Sequence, residues 1–397
     1  MVNFLFLIFF ILSLEIFLYF FIHYNKKNFQ WLITENEEFP EFKKKNIDGF
    51  FKSSYHKNLG WLKKANITDF HDKIKKKTKF SIDKFGARKS NYRNYKKKIE
   101  AYGDSFCFGR YVKDEHVWTE LLSKNLHCHV INYGVGNYGF DQAVIRHEKN
   151  KKINSVFTII GVVPETINRI NSIWKHFLEF GNIYAFKPTF FLDKKKLKLR
   201  KNPIKDKKDF DKKKIIKIIN KISKNDIFYN KKFKKFQFRR PYLISFFRNF
   251  SFNCKLFSKI FFFPLSKEKD KKKYLFPLYY ANNIEVANNF YKDEEYTKLF
   301  KLLISRFKNN TKKRNSIPII IIFPQKKDIE LFRKNQNYYC SFFNSIKDLK
   351  IIDLTKFLSN KNIEKIYLDE EHGGHLTAYG NRIVTKKIQQ ELKHVRH

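Results

Sequence analysis

Acidic residues are few in this chain. Its 38 Asp and Glu stand against 82 Lys and Arg, a formal net charge of +44. A surplus of that size suits a nucleic-acid or anionic-membrane partner. A nucleic-acid face gathers its charge, however, whereas these lysines run through every segment. Gly, Pro and Ala are scarce in the same chain and Asn, Ile and Phe abundant. The pattern reads as a compositional bias acting on permissive surface positions, and it argues against a nucleic-acid partner. An attraction for acidic substrates or anionic lipids survives that reading. Cysteine is scarce too: Cys107, Cys128, Cys254 and Cys340 have neither Cys-x-x-Cys spacing nor the density of a disulfide framework. They read as free and mostly buried thiols, and a structural zinc site is not expected. No internal repeat is evident.

What is present begins at the N-terminus. "VNFLFLIFFILSLEIFLYFFI", from Val2, is an almost unbroken apolar run with the length needed to cross a bilayer. A helix with no polar face would be unusual in a soluble core. A cleavable signal peptide is the rival reading, but no small-x-small site follows, and the chain continues "HYNKKNFQ". Residues 1–23 are therefore expected to be an uncleaved, single-pass anchor. Glu15 falls in mid-span, where an ionisable group is costly, and calls for a partner helix or a proton. Lys26 and Lys27 after the span favour a cytoplasmic main domain, but long domains translocate regardless of charge, so the side stays open.

Residues 24–97 read as a lead-in of strands and loops. From about Lys98 the rhythm becomes regular. "KKIEAYG", "HVINYGV", "SVFTIIGVV", "IPIIIIFP" and "LKIIDL" read as strands, the third an apolar run suited to a sheet buried on both faces. "DEHVWTELLSKNL", with Asp114 as N-cap, "FDQAVIRHEKN" and the C-terminal "HLTAYGNRIVTKKIQQELKH" read as helices. Strands alternating with helices predict a doubly wound α/β fold with a parallel sheet over residues 98–397. Residues 192–275 interrupt it with a charge run and a strongly apolar stretch, "PYLISFFRNFSFNCKLFSKIFFFPL". That insertion either lies on a membrane or covers the active site, the second being the plainer reading.

The thirteen glycines are unevenly spread, and ten lie in a few places: Gly103, Gly109, Gly134, Gly136, Gly139, Gly161, Gly181, Gly373, Gly374 and Gly380. Most follow expected strands, and open α/β sheets bind ligands at the carboxyl ends of their strands. Ser105, just past the first strand, is placed to be a nucleophile if a base reaches it. "YLDEEHGGHLTAYGN" carries Asp369, Glu370, Glu371, His372 and His375 before the terminal helix. A carboxylate and a histidine delivered by one loop to a serine on another have the logic of a Ser-His-Asp triad. Two histidines in a glycine loop lack a third metal ligand. Arg146 and Arg169 read as solvated charges, with anionic-substrate binding the alternative.

With these residues in place, the chain resembles the SGNH (GDSL-type) hydrolase superfamily. "GDSF", Gly103 to Phe106, sits where the family has its nucleophile block. "INYGVGNYG", 131–139, matches the block that supplies a backbone N–H to the oxyanion hole. "HLTAYGN", 375–381, matches the block with the catalytic histidine. The match covers about 98–182 and 315–394, and leaves the anchor, the lead-in and the insertion outside it. The resemblance implies a three-layer, flavodoxin-like doubly wound sheet. It implies Ser105 as nucleophile, His375 as base and Asp369 as orienting acid, with no metal and no organic cofactor. The oxyanion hole would combine Ser105 with Gly136 and Asn137.

Two features depart from the family pattern. The third block usually places an Asn side chain in the oxyanion hole, and here "IIGVVPETINRI" has Pro164, Glu165 and Thr166 in that region, with Asn168 nearest. Asp-x-x-His spacing, taken literally, pairs Asp369 with His372 instead of His375. His372 therefore stays as alternate base and Glu371 as alternate acid. The expected function is a membrane-anchored serine ester hydrolase acting on an O-acyl or lipid ester, its partners an acylated glycan or lipid substrate and the membrane. One alternative is acyl transfer or deacetylation on a surface glycan. Another, of a different class, is a non-catalytic membrane-tethered scaffold on a degenerate hydrolase fold.

Overall fold

The computed structural model describes residues 2–73, 76–369 and 374–395. It divides into two compact units, each assembled from separate stretches of chain. One takes Met1–Phe50, Ser172–Phe186 and Pro203–Ala281, the other Phe51–Asn171, Lys187–Asn202 and Asn282–His397. The lead-in thus changes unit at Phe50–Phe51, and the insertion at Asn202–Pro203.

In the first unit, helix α1 runs from Val2 to Lys26. Among the described residues it is the one helix long and apolar enough to cross a membrane, and it lies near the N-terminus, where a signal sequence would have the same character. Its residues 3–13 are exposed, and from Leu14 onward it packs. Leu18 and Ile22 are buried, and Phe21 stacks on Phe257 at 4.5 Å between ring centroids. Glu15 has the partner helix that its position calls for. Its carboxylate accepts the backbone N–H of Tyr242 and, at 2.8 Å, that of Leu243. These are the first two residues of the helix Tyr242–Arg248, whose N–H groups have no partner within their own helix. A second helix, Phe250–Phe262, follows at once. The lead-in also carries a helix where strands and loops are expected, at Lys44–Ser53.

The second unit is built on five parallel strands: β1 (Lys98–Gly103), β2 (His129–Asn132), β3 (Phe157–Val162), β4 (Ile317–Ile322) and β5 (Lys350–Asp353). Their spatial order is β5-β4-β3-β1-β2, and every pairing is parallel. This is a doubly wound order with its switch point between β1 and β3, the place where open α/β sheets bind their ligands. The strands are continuous apolar runs because both faces are covered. Ile99, Ala101, Ile159, Ile319 and Ile321 share one core with Trp118, Leu122, Val384 and Ile388. Those last four residues lie on helices α3 (Trp118–Leu126) and α7 (Ala378–Lys393), preceded in the chain by the one-turn α2 (Ser105–Phe108). The alternate residues face the other layer. There Tyr102 stacks on His147 of helix α4 (Phe140–Lys149), with α5 (Thr166–Ile170) next along the chain. Phe140 packs on Phe300 and Phe307 of α6 (Glu294–Lys312).

One cap differs from expectation. Asp114 does not cap α3, which begins after Val117. Its carboxylate is held instead by the buried Arg88 guanidinium (2.7 Å) and the Ser81 N–H (3.0 Å). A charge-assisted bond to a buried arginine outcompetes a helix cap.

Candidate active site

β1 ends at a glycine for a steric reason. Gly103 sits at φ +143°, and a Cβ there would lie 1.9 Å from the Gly161 carbonyl oxygen of β3. The close approach places the next residue, Asp104, between the two strands. Asp104 is fully buried and caps α2, accepting the Phe106 N–H at 2.9 Å. Its other oxygen accepts the Val163 N–H at 2.9 Å and lies 3.5 Å from the Arg169 guanidinium. Burial pushes this carboxyl up from its ordinary value. Arg169 and the N–H groups of Val163, Phe106 and Cys107 pull it back down. Asp104 therefore ties the turn after β1 to the turn after β3, and Ser105 opens α2 between them.

Ser105 meets His375. The imidazole Nε2 lies 2.8 Å from Ser105 Oγ, and both residues are buried, 5 % and 4 % exposed. The ring is held from two sides. Phe106 stacks on it at 5.0 Å and Tyr111 meets it edge-on at 5.5 Å. Its backbone is fixed by a short antiparallel bridge, Tyr367 opposite Leu376, with the Leu368 N–H donating to the His375 carbonyl at 2.8 Å. Asp369 is the residue that leaves this bridge on the strand opposite His375. The terminal helix starts three residues after His375, with Thr377 as N-cap, its hydroxyl accepting the Gly380 N–H. The alternate base His372 and alternate acid Glu371 lie outside the described residues.

The turn after β2 adjoins the same point. The Val135 N–H donates to the Gly103 carbonyl at 2.9 Å. Gly134 presses on α2, where a Cβ would meet the Phe108 nitrogen at 2.4 Å. Gly136 differs, since a Cβ on it would meet nothing within 4 Å. It borders open space, and its neighbour Asn137 adopts φ +66°. The turn is held from the lead-in by Trp61, whose indole N–H donates to the Gly136 carbonyl at 2.9 Å. The Tyr138 hydroxyl in turn donates to the Trp61 carbonyl at 2.6 Å. Sequence reasoning missed Trp61, because a bond across 75 residues leaves no local signal.

The turn after β3 is filled by packing. Asn168 is fully buried, and its amide donates to the Asn283 carbonyl at 2.8 Å. Glu165 pairs with Arg169 at 2.8 Å, and the Thr166 hydroxyl accepts the Phe140 N–H. Arg169 and Arg146 are not solvated charges. Arg169 joins Asp104, Glu165 and the Tyr138 carbonyl, and Arg146 donates to the carbonyls of Tyr133 and Gly86. Both are nearly fully buried. All four cysteines are free, Cys107 and Cys128 buried and the other two half-buried.

No protein-family model matches the chain, and no curated protein matches it. Among solved structures, a protein assigned to the G-D-S-L family of lipolytic proteins, from Desulfitobacterium hafniense DCB-2, is similar at 12% identity. The match covers 74% of this chain and 98% of that one, with a TM-score of 0.34. The fold therefore rests on the strand order and pairing themselves. The chain is an α/β protein with an N-terminal apolar helix, and a buried serine and histidine meet at the switch point of its five-stranded parallel sheet.

Proposed function

We propose that this chain is a membrane-anchored serine ester hydrolase with Ser105 as nucleophile. The observation that carries the reading is the 2.8 Å approach of His375 Nε2 to Ser105 Oγ, at the carboxyl end of β1. His375 takes the hydroxyl proton as Oγ attacks the ester carbonyl, and gives it to the departing alcohol as the tetrahedral intermediate collapses. A water then attacks the acyl-serine. Its proton passes through His375 back to Oγ, and the carboxylic acid leaves. Asp369, leaving the bridge opposite His375, is the acid that holds the imidazole in the right orientation. The oxyanion is held by the Ser105 N–H, free of an intrahelical partner at the first turn of α2, and by the Gly136–Asn137 turn. The open space beside Gly136 leaves room for the acyl group. The substrate is an O-acyl or lipid ester, and α1 favours one held at a membrane.

Incubation with a fluorophosphonate probe tests the nucleophile. The wild-type chain is expected to label and Ser105→Ala to lose the label. A folded wild-type chain that stays unlabelled overturns the enzyme reading and leaves the scaffold reading. Competition between water and an added sugar acceptor for the acyl group separates hydrolysis from transfer.

A further inference from the structure

The apolar run of α1 covers residues 2–22, and one face of its second half is already occupied. Residues 3–13 are exposed. Farther on, Glu15 and Tyr19 lie against the helix Tyr242–Arg248 and Phe21 against Phe250–Phe262, with Leu18 and Ile22 buried, while Ile16, Phe17 and Phe20 on the other face stay exposed. At 1.5 Å per residue the free part is roughly 16 Å long, well short of a hydrocarbon layer of about 30 Å. The full run, roughly 31 Å, is what matches. If α1 spans, the two helices packed on its second half must share the depth of that half.

Their surface suits such a place. Ile244, Phe247, Phe250, Phe261, Phe262 and Leu265 are all exposed, Leu265 at 82 % and Phe261 at 69 %. A set of six large apolar side chains turned outward along one short segment is not what a water-facing surface carries. The charges among them are long ones. Arg248 and Lys255 are exposed and Lys259 half-buried, and such side chains reach headgroups while their stems stay in an apolar layer. Glu15, the one carboxylate in the run, already has two backbone N–H donors from the same segment.

We propose that residues 242–265 form a foot sunk in one leaflet, beside α1, so that the protein holds the bilayer by a span and an interfacial wedge together. The occupant of the exposed apolar face is lipid acyl chain. The argument rests on α1 spanning and is independent of the chemistry at Ser105. Of the two sequence readings of the insertion, it takes the one that lies on a membrane.

The test uses the full chain in proteoliposomes of zwitterionic and anionic phospholipid, in a Cys254→Ser, Cys340→Ser background. Single spin labels are placed at Phe247→Cys, Phe261→Cys and Leu265→Cys, with Phe9→Cys as the span reference and Lys334→Cys as the water reference. All five positions are exposed, so labelling leaves the core intact. The expected result is loss of accessibility to a water-soluble nickel chelate and gain of accessibility to oxygen at the three foot positions, as at Phe9. Nickel accessibility equal to that at Lys334 places the foot in water and overturns the proposal. Protection from both relaxants shows that protein covers the face, and overturns it equally. A Phe9 label that stays in water overturns the span and the foot with it, while leaving the probe result at Ser105 untouched.

Discussion

Asn168 and Asn137 are both within a few residues of a strand's carboxyl end, and their expected effects differ. Asn168 spends its amide on the Asn283 carbonyl in a fully buried site. Asn168→Ala should lower thermal stability by about 1 kcal/mol and leave kcat nearly unchanged. Loss of a working oxyanion donor instead costs about 10²–10³ in kcat. Measuring melting and turnover on the same preparation separates the two, and a large fall in kcat would show that Asn168 reaches the oxyanion. Trp61→Phe removes the N–H that holds the Gly136 carbonyl. It should lower kcat with KM retained, the mark of an interaction used in the transition state. A change in KM alone would place Trp61 in ground-state binding. Gly103→Ala should destabilise by about 1–3 kcal/mol or more, because its Cβ meets a backbone oxygen that cannot move away. Ser105 and His375 were legible in the sequence because each sits in a run of residue types with a local pattern. Asp104 was in view as part of "GDSF", but its tie to Val163 and Arg169 was not, since its partners lie some 60 residues on.

At the scale of elements, the strands and helices of the sheet unit follow from apolar periodicity. The start of α3 does not, because a buried arginine from the lead-in takes Asp114 away from its cap position. A similar conflict between local and tertiary demands sets the response to pH. Asp328 is wholly buried after β4, its oxygens accepting the Gln325 N–H and the Tyr338 hydroxyl. Burial raises its carboxyl from 3.8 to about 7. The unfolded chain gives up this proton first, so folding stability from Asp328 falls as pH rises from about 4 to about 7. His147 acts in the opposite sense. Burial lowers it from 6.5 to about 3, so its contribution is lost as pH falls below about 6.5. Asp328→Asn should therefore steepen the net loss of stability on acidification, and His147→Gln should flatten it. Melting temperatures between pH 4 and pH 7 read both signs.

For the whole molecule, the alternation of strands and helices announced the sheet, but nothing in the sequence announced two units woven from six stretches of chain. Apolar periodicity reports which face of an element is buried and carries no record of which neighbour buries it. The net charge of +44 is likewise a property of the whole. Binding of the protein to anionic vesicles should exceed binding to neutral ones, and the difference should fade as salt rises from about 0.05 M to about 0.5 M. A difference that persists in high salt would mean that a specific site recognises the lipid. The pairing of Ser105 with His375 finally sets an order in time. The two residues are 270 positions apart, and the imidazole belongs to a bridge just before the last helix. During synthesis the serine leaves the ribosome 270 residues ahead of the histidine, so it waits alone while that length is made. The pair forms only after α1, made before the serine, has been outside the ribosome for the whole of that interval.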